Sequence, residues 1–330
     1  MARQHCQEEL RLRNFFYYFE DQTAFHRCQW KWPRCVYISL RVMLAAYTVF
    51  GFTYEVNDYY RNAKIRQSWS NTSHVQDDSG DEDFDDWDSR KPWFVYFTLW
   101  TYMVLTAHML LAALLSILFK GSNDGNVLVI SKEVSPRDED SIMVDPSASD
   151  SEPLIASGGF PHNPRRNNSS RSSMQSSSTR GRGLAWYFKL SWCLSNIIST
   201  CAPIVTTIFF AALYAGGPVS LANINVHLLN TVFVVLDHLV SARPVRLHHW
   251  SAPALFGMCY TLFSYVFWTF DHVNHVVYKG VMDWNDPVSA TVNTLVMVYV
   301  VNPIVHCFYF VLYRLKIWLY HKIYAPQSLL

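Results

Sequence analysis

The sequence predicts an all-α polytopic membrane protein, a bundle of six transmembrane helices with the N- and C-termini in the cytosol. Three observations predict it: a deficit of charge, an excess of aromatic residues, and six apolar runs separated by polar ones. Half of the 330 residues are apolar and 16% are aromatic, with 12 Trp, 19 Tyr and 21 Phe, while only 16% are charged, against about 25% in soluble globular domains. That balance argues against a water-soluble enzyme. Mean hydropathy is only +0.03, because Asp, Glu, Ser and Arg crowd into two stretches and leave the apolar runs nearly uncharged. The net charge of +1, from 27 Lys and Arg against 26 Asp and Glu, gives no basic excess for nucleic acid, so that partner class is excluded.

The chain opens with a cytosolic segment, residues 1–34. It has no early apolar region and holds Arg3, Arg11, Arg13, Arg27, Lys31 and Arg34, so no cleavable signal peptide is expected. These basic residues hold the segment inside by the positive-inside rule. A span needs about 20 apolar residues, and the first follows at 35–54 despite Arg41. Residues 55–92 then lie outside as a flexible acidic loop, with Asp77, Asp78, Asp81, Glu82, Asp83, Asp85, Asp86 and Asp88. Their spacing is not that of a calcium loop. Asn71-Thr72-Ser73 is a glycosylation acceptor on this outer side, which makes Asn71 the expected modification site.

The second span, 93–119, returns the chain to the cytosol. Residues 120–191 are Ser-, Asn- and Arg-rich, too poor in apolar residues to offset their ordering entropy, and are expected to be disordered and open to phosphorylation. Asn167 and Asn168 fall on this inner side and should stay unmodified. Four spans follow within 192–313, at 192–215, 226–242, 251–270 and 288–313, ahead of a cytosolic tail, 314–330. Arg243, Arg246, Arg314, Lys316 and Lys322 mark the inner ends. None of the seven cysteines lies in an outer loop, so no disulfide framework is expected. Cys28 and Cys35 beside the membrane read as buried or idle thiols rather than palmitoylation sites.

Ionisable groups inside spans carry the most information, because each costs about 2.5–3.5 kcal/mol in hydrocarbon even on the lenient insertion scale. In the fourth span His227, Asn230, Thr231 and Asp237 can share one face. The second span offers Thr98, Thr101, Tyr102, Thr106 and His108; the last offers Asn293, Asn302 and His306, with Pro303 as a kink. At 1.5 Å per residue Thr98 lies roughly 7–8 Å below the outer boundary, level with His227 in the first turn of its own span. That depth suits a nucleophile and its general base. Asp237 lies about 15 Å deeper and cannot complete a triad. The plainer alternative is that Thr98 and His227 make packing hydrogen bonds. Asp237 and His238, above Arg243, read as an ion-paired helix end, and Asp271, His272 and His275 as surface residues rather than a zinc site. No phosphate-cradling Gly loop, Gly-x-Ser-x-Gly elbow or His-Glu-x-x-His occurs, so no cofactor and no metal is expected.

Three segments carry a likeness. Asn230 to Trp250, with Ser241-Ala242-Arg243-Pro244-Val245-Arg246-Leu247-His248-His249, resembles the signature of rolling stone-type proteins; so do Val281-Met282-Asp283-Trp284-Asn285-Asp286-Pro287 and Trp93-Phe94-Val95-Tyr96-Phe97-Thr98-Leu99-Trp100. The acidic outer loop and serine-rich inner loop depart from it as insertions. The resemblance implies a surface protein of cell fusion or muscle formation, at the plasma membrane rather than the endoplasmic reticulum; in a non-enzymatic reading of the chain, the glycosylated acidic loop is the part that meets a partner protein. A more distant likeness links the chain to the androgen-induced-gene family of intramembrane hydrolases. Its threonine follows a Trp-x-x-aromatic/Leu-Thr pattern, matched from Trp93 to Thr98 with one residue of slack, and its histidine precedes an acidic residue by ten, as His227 precedes Asp237. That likeness implies a lipid-ester hydrolase drawing membrane lipids from the outer leaflet, with Thr98 as nucleophile, His227 as base, and Asn230 or Tyr102 on the oxyanion.

Overall fold

The computed structural model describes Tyr17, Phe19 and residues 21–72, 91–119, 184–214 and 219–324, without the side chains of 62–72 and 212–213. Among the described residues six helices carry the fold: α1 (Arg34–Thr72), α2 (Phe97–Leu118), α3 (Trp186–Ile208), α4 (Leu221–Val240), α5 (Ser251–Phe270) and α6 (Pro287–Tyr324). Among the described residues there is no strand, only the isolated bridges Cys28 to Ser241 and Tyr278 to Met282. The all-α class is therefore as expected.

Five of these helices are long and apolar enough to cross a membrane: α1 over Arg34–Arg61, α2, α3 with its extension over Trp186–Ala211, α4, and α6. The sixth expected span, α5, is a helix of 20 residues without a single Asp, Glu, Lys or Arg. Its Ser, Thr, Tyr and Trp residues dilute its apolarity, so it is not counted among the five. Large apolar side chains face outward on several helices, including Leu114 and Leu118 on α2, Leu255 and Leu262 on α5, and Ile304, Phe308 and Val311 on α6. A water-soluble monomer rarely carries so much exposed apolar surface; lipid tails accommodate it.

The helix ends follow from local chemistry. Asp286 caps α6 by accepting from the Ser289 N–H, with Pro287 in the first helical position. Ser220 does the same for α4 through the Asn223 N–H. Pro303 lacks an N–H and so leaves a carbonyl of the preceding turn unbonded. The chain absorbs this as a π-helical stretch, Met297–Val301, immediately ahead of the proline. Further π-helical stretches, Phe209–Leu213 and Ile224–Leu229, extend α3 and open α4.

Four helices overrun their expected limits, α4 by beginning at Leu221 rather than 226. α1 continues from 54 to Thr72, since no Gly or Pro interrupts 52–79, and it carries Asn71 near its end. α3 begins at Trp186 rather than 192, because Phe188 and Trp192 are buried against Phe25. α6 continues past 313 to Tyr324, as Lys316, Ile317 and Tyr320 fall on its buried face. The acidic cluster at 77–88, the serine-rich stretch, Asn167, Asn168 and Cys6 lie outside the described residues.

The core draws on five helices: Leu44 and Ala45 of α1, Tyr102, Leu105 and Met109 of α2, Ile198 and Ala202 of α3, Val226 and Val234 of α4, and Tyr309 of α6. At one end the segment before α1 closes over it. The Gln29 N–H donates to the Val240 carbonyl at 2.8 Å, the Trp30 indole N–H to the Leu239 carbonyl at 2.9 Å, and the Ala242 N–H to the Arg27 carbonyl at 3.2 Å. Arg34 donates to the Ser116 and Phe119 carbonyls at the end of α2, satisfying acceptors that a helix terminus leaves open.

Two predictions follow from this packing. A Cβ on Gly51 would run into the Tyr102 hydroxyl and the Asn225 side chain, so Gly51→Ala should cost about 1–3 kcal/mol by overpacking, read as a lower midpoint of thermal unfolding in micelles. The His26 ring packs on Phe119 and Phe188, and burial, then Arg27 and Arg34, push its pKa below the ordinary value. The unfolded chain therefore takes up the proton first, so this residue's contribution to stability is lost as pH falls through about 6.5. His26→Phe should flatten the decline in unfolding midpoint between about pH 7 and 5.

Candidate functional site

The strongest polar feature is assembled from three helices and one loop. Asp237, 2% exposed, projects from the last turn of α4. Its Oδ1 pairs with Arg41 of α1, and its Oδ2 lies 3.2 Å from His108 Nε2 of α2 and 3.3 Å from Arg243 Nη1 of the loop after α4. His108 Nε2 is also 3.2 Å from Arg243 Nη1. Arg41 donates in addition to the Tyr37 hydroxyl at 2.8 Å. Burial, reinforced by the Arg41 cation, pushes the Arg243 guanidinium down to about 9, which leaves it charged at neutral pH. Lys316 of α6 reaches the same region and donates to the His238 and Ser241 carbonyls, both at 2.7 Å.

A second polar chain runs between α1, α2 and α4. The Tyr102 hydroxyl donates to Asn225 Oδ1 at 3.1 Å, and Asn225 Nδ2 donates to Glu55 at 3.2 Å. Gly51 makes room for this chain by leaving no Cβ beside Tyr102.

The residues singled out for chemistry occupy separate surroundings. Thr98 lies in the first turn of α2, beside Tyr278, whose hydroxyl accepts from the Phe97 N–H at 3.0 Å. His227 stacks its ring on Phe209 with centroids 3.6 Å apart. Its Nδ1 is buried without a hydrogen-bond partner among the described residues, and its carbonyl accepts from the Thr206 hydroxyl, which also meets Thr231 at 2.7 Å. Asn230 turns its amide back to the Val226 carbonyl of its own helix at 3.4 Å, and Tyr102 is engaged by Asn225. Among the described residues no hydrogen bond joins Thr98 to His227. A general base must stand within hydrogen-bond reach of the proton it takes, so this arrangement lends no support to the threonine hydrolase reading.

In the loop after α5 the Asp271, His272 and His275 side chains are engaged locally. Asp271 accepts from the Val273 and Asn274 N–H groups and the Asn274 amide, which holds its carboxyl down at about 2. His272 stacks on Trp268 and His275 on Phe267. Among the described residues no three His, Cys, Asp or Glu side chains are placed to hold a metal ion. The described cysteines are all free thiols.

Sequence reasoning paired Asp237 with the neighbouring Arg243 and missed Arg41 and His108. A signal was available: Arg41 sits in the first span and Asp237 near the end of the fourth, each a charge needing a partner at membrane depth.

The segments that carried the likeness join helix ends. The Pro244 carbonyl accepts from the Trp192 indole at 2.8 Å, the Arg246 carbonyl lies 2.9 Å from His306 Nε2, and His249 Nδ1 lies 3.1 Å from the Asn196 amide. Farther on, the Trp284 indole donates to Ser264, the Trp268 indole to Asn285, and Asn293 to the Val281 carbonyl. The family profile described as protein rolling stone matches residues 163–327, half of the chain. The chain belongs to the rolling stone family. Protein rolling stone of Drosophila melanogaster is 30% identical over 163 residues, 45% of this chain and 56% of that protein. The chain thus spans little more than half the length of that curated relative. No solved structure matches the chain. The rolling stone match takes in α3 to α6, and with them Asp237, Arg243 and Lys316; Arg41 and His108 lie before it.

Replacing Asp237 leaves Arg41 and Arg243 buried without their carboxylate, the costly way to break a buried pair. Asp237→Asn should lower stability by about 3–5 kcal/mol. Denaturant unfolding of the two proteins in the same micelles measures it; an unchanged midpoint would show that the network is not a stabilising centre.

Proposed function

We propose that this rolling stone family member is a plasma membrane protein that spans the bilayer six times with both termini cytosolic, and that it acts in cell fusion or muscle formation. The observation that carries the reading is the family match across the last four helices. The role in fusion is what the rolling stone resemblance implies, and the acidic stretch that follows α1, within 73–92, is the surface for a partner protein.

The start of α1 and the end of α6 lie together, which supports the count of spans. Lys31 stands over the Tyr324 ring at 4.8 Å, and Trp30 packs on Tyr320 at 6.4 Å. A chain that leaves and returns to the same end of a bundle crosses an even number of times. Five helices qualify by length and apolarity, so parity favours α5 as the sixth. The basic residues of 1–34 then put that end in the cytosol, and Asn71, beyond the far end of the first span, falls where glycosylation occurs.

The test has two readouts. Full-length chain tagged at both ends should show each tag only after cells are permeabilised, and a glycosidase should shift its mobility unless Asn71→Gln is present. Loss of the protein from fusing muscle precursors should reduce the multinucleated fraction, with recovery on re-expression. A tag reachable on intact cells would overturn the topology, and fusion at the normal rate would overturn the role.

A further inference from the structure

The last turns of α6 do not have the surface of a helix that ends in water. α6 runs for 38 residues, about 57 Å at 1.5 Å per residue, whereas a bilayer with its headgroup layers is about 40–45 Å thick. The turns past 313 stay helical because Lys316, Ile317 and Tyr320 pack inward. Tyr320 meets Trp30, and Lys316 donates to the Ser241 carbonyl, just beyond the end of α4. Residues 318–324 therefore continue past the level at which α4 ends.

The outward face of these turns mixes two characters. Leu315, Trp318 and Leu319 are 39–56% exposed, an apolar surface that water does not cover favourably. Arg314 and Lys322 are exposed beside them, and charges do not rest in hydrocarbon. Arg314, Trp318 and Lys322 stand at successive fourth positions and so share one stripe of the helix. Lys322 Nζ lies over the Trp318 ring, 5.0 Å from its centroid. α6 contains no Asp or Glu, and among the described residues no carboxylate pairs with Arg314 or Lys322.

An apolar stripe that carries an indole and two such cations fits the layer where acyl chains give way to phosphates. Hydrocarbon covers Leu315 and Leu319, and phosphate oxygens meet Arg314 and Lys322. A zwitterionic headgroup brings one ammonium for each phosphate and offers these cations no net charge, so a headgroup with excess negative charge is the better complement. We propose that the stripe of Arg314, Trp318 and Lys322 is a binding site for the headgroup of an anionic phospholipid. The site requires only that α6 cross the bilayer, whatever the count of spans and the role in cell fusion.

The test is native mass spectrometry of the purified full-length chain released from neutral micelles, with phosphatidylserine or phosphatidylcholine titrated in. Phosphatidylserine should bind the more tightly, and Arg314→Gln together with Lys322→Gln should raise its dissociation constant about 30-fold. Both side chains are exposed, so the fold should survive their loss. If the double variant fails to fold, either single one, with a loss of about fivefold, decides. Lys189→Gln removes an exposed cation of α3 and should leave binding unchanged. Glycerophosphoserine, the same headgroup without acyl chains, should not displace the lipid at the lipid's own concentration. Equal affinity for the two lipids would overturn the proposal, as would undiminished binding in the double variant. An equal loss in Lys189→Gln would also defeat it, by assigning the effect to the charge of the whole basic end. Displacement by glycerophosphoserine would leave a site for soluble phosphate and refute the lipid assignment.

Discussion

The need to neutralise the Asp237 carboxylate inside a water-poor bundle governs one whole end of the molecule. An unpaired charge there costs several kcal/mol, so α4 packs stably only where cations reach it. They come from widely separated points of the chain: Arg41 from α1 and Arg243 from the loop past α4, with the His108 ring from α2 closing the group. Bringing Arg243 inward fixes the loop, and the loop in turn presents the Pro244 carbonyl to Trp192 of α3 and the Arg246 carbonyl to His306 of α6. One electrostatic requirement thus propagates into the placement of five helices. Net stabilisation is not the main consequence, since a buried ion pair often does little better than well-packed apolar side chains. Its effect is on which helices are neighbours.

At the other end of α4 the constraint is one of register. In a regular α-helix Asn225 and His227, two residues apart, point about 200° away from one another. Both are nevertheless buried here, in a π-helical stretch, Ile224–Leu229. Asn225 serves Tyr102 and Glu55, while His227 stacks on Phe209. The extra residue in the turn lets α4 satisfy two different neighbours before the ordinary spacing of Asn230, Val234 and Asp237 resumes. The π-turn Phe209–Leu213 supplies the opposing ring. The same stretch explains why the imidazole is held by aromatic contact instead of a hydrogen-bonded partner.

Much of the fold was legible because hydrocarbon imposes a length and a polarity that show directly as apolar runs. The helix ends were not legible, because the bilayer dictates where apolarity stops and not where the backbone stops coiling. Residues 55–72 and 314–324 remain helical in polar sequence for that reason. For the candidate site, depth along the bilayer placed Thr98 and His227 level with each other. Depth is one coordinate of three. Rotation about each axis, altered in α4 by its π-turn, sends Thr98 toward Tyr278 and His227 toward Phe209. Arg41 was read as a weakness of the first span, yet it is the residue that anchors that span to α4.

Two of the segments in which the likeness was read, within the stretch that the rolling stone family matches, hold joints between helices. Arg243 is needed by Asp237; Pro244 and Arg246 offer carbonyls where the chain turns outward of α4; His249 lies edge-on to Trp192. In the second segment Trp284, Asn285 and Asp286 tie the end of α5 to the start of α6. Arg243, Trp284 and Asp286 each answer a structural demand with the side chain, as a forked cation, a ring with a donor and a cap, whereas Pro244 and Arg246 contribute backbone carbonyls. Sequence specificity in such a protein arises from the geometry of connection between helices. A reacting group, by contrast, would be recognised by convergence on an accessible cleft. Here the polar residues converge on Asp237, which is almost wholly buried and already answered by cations. The demand met at that point is assembly of the bundle.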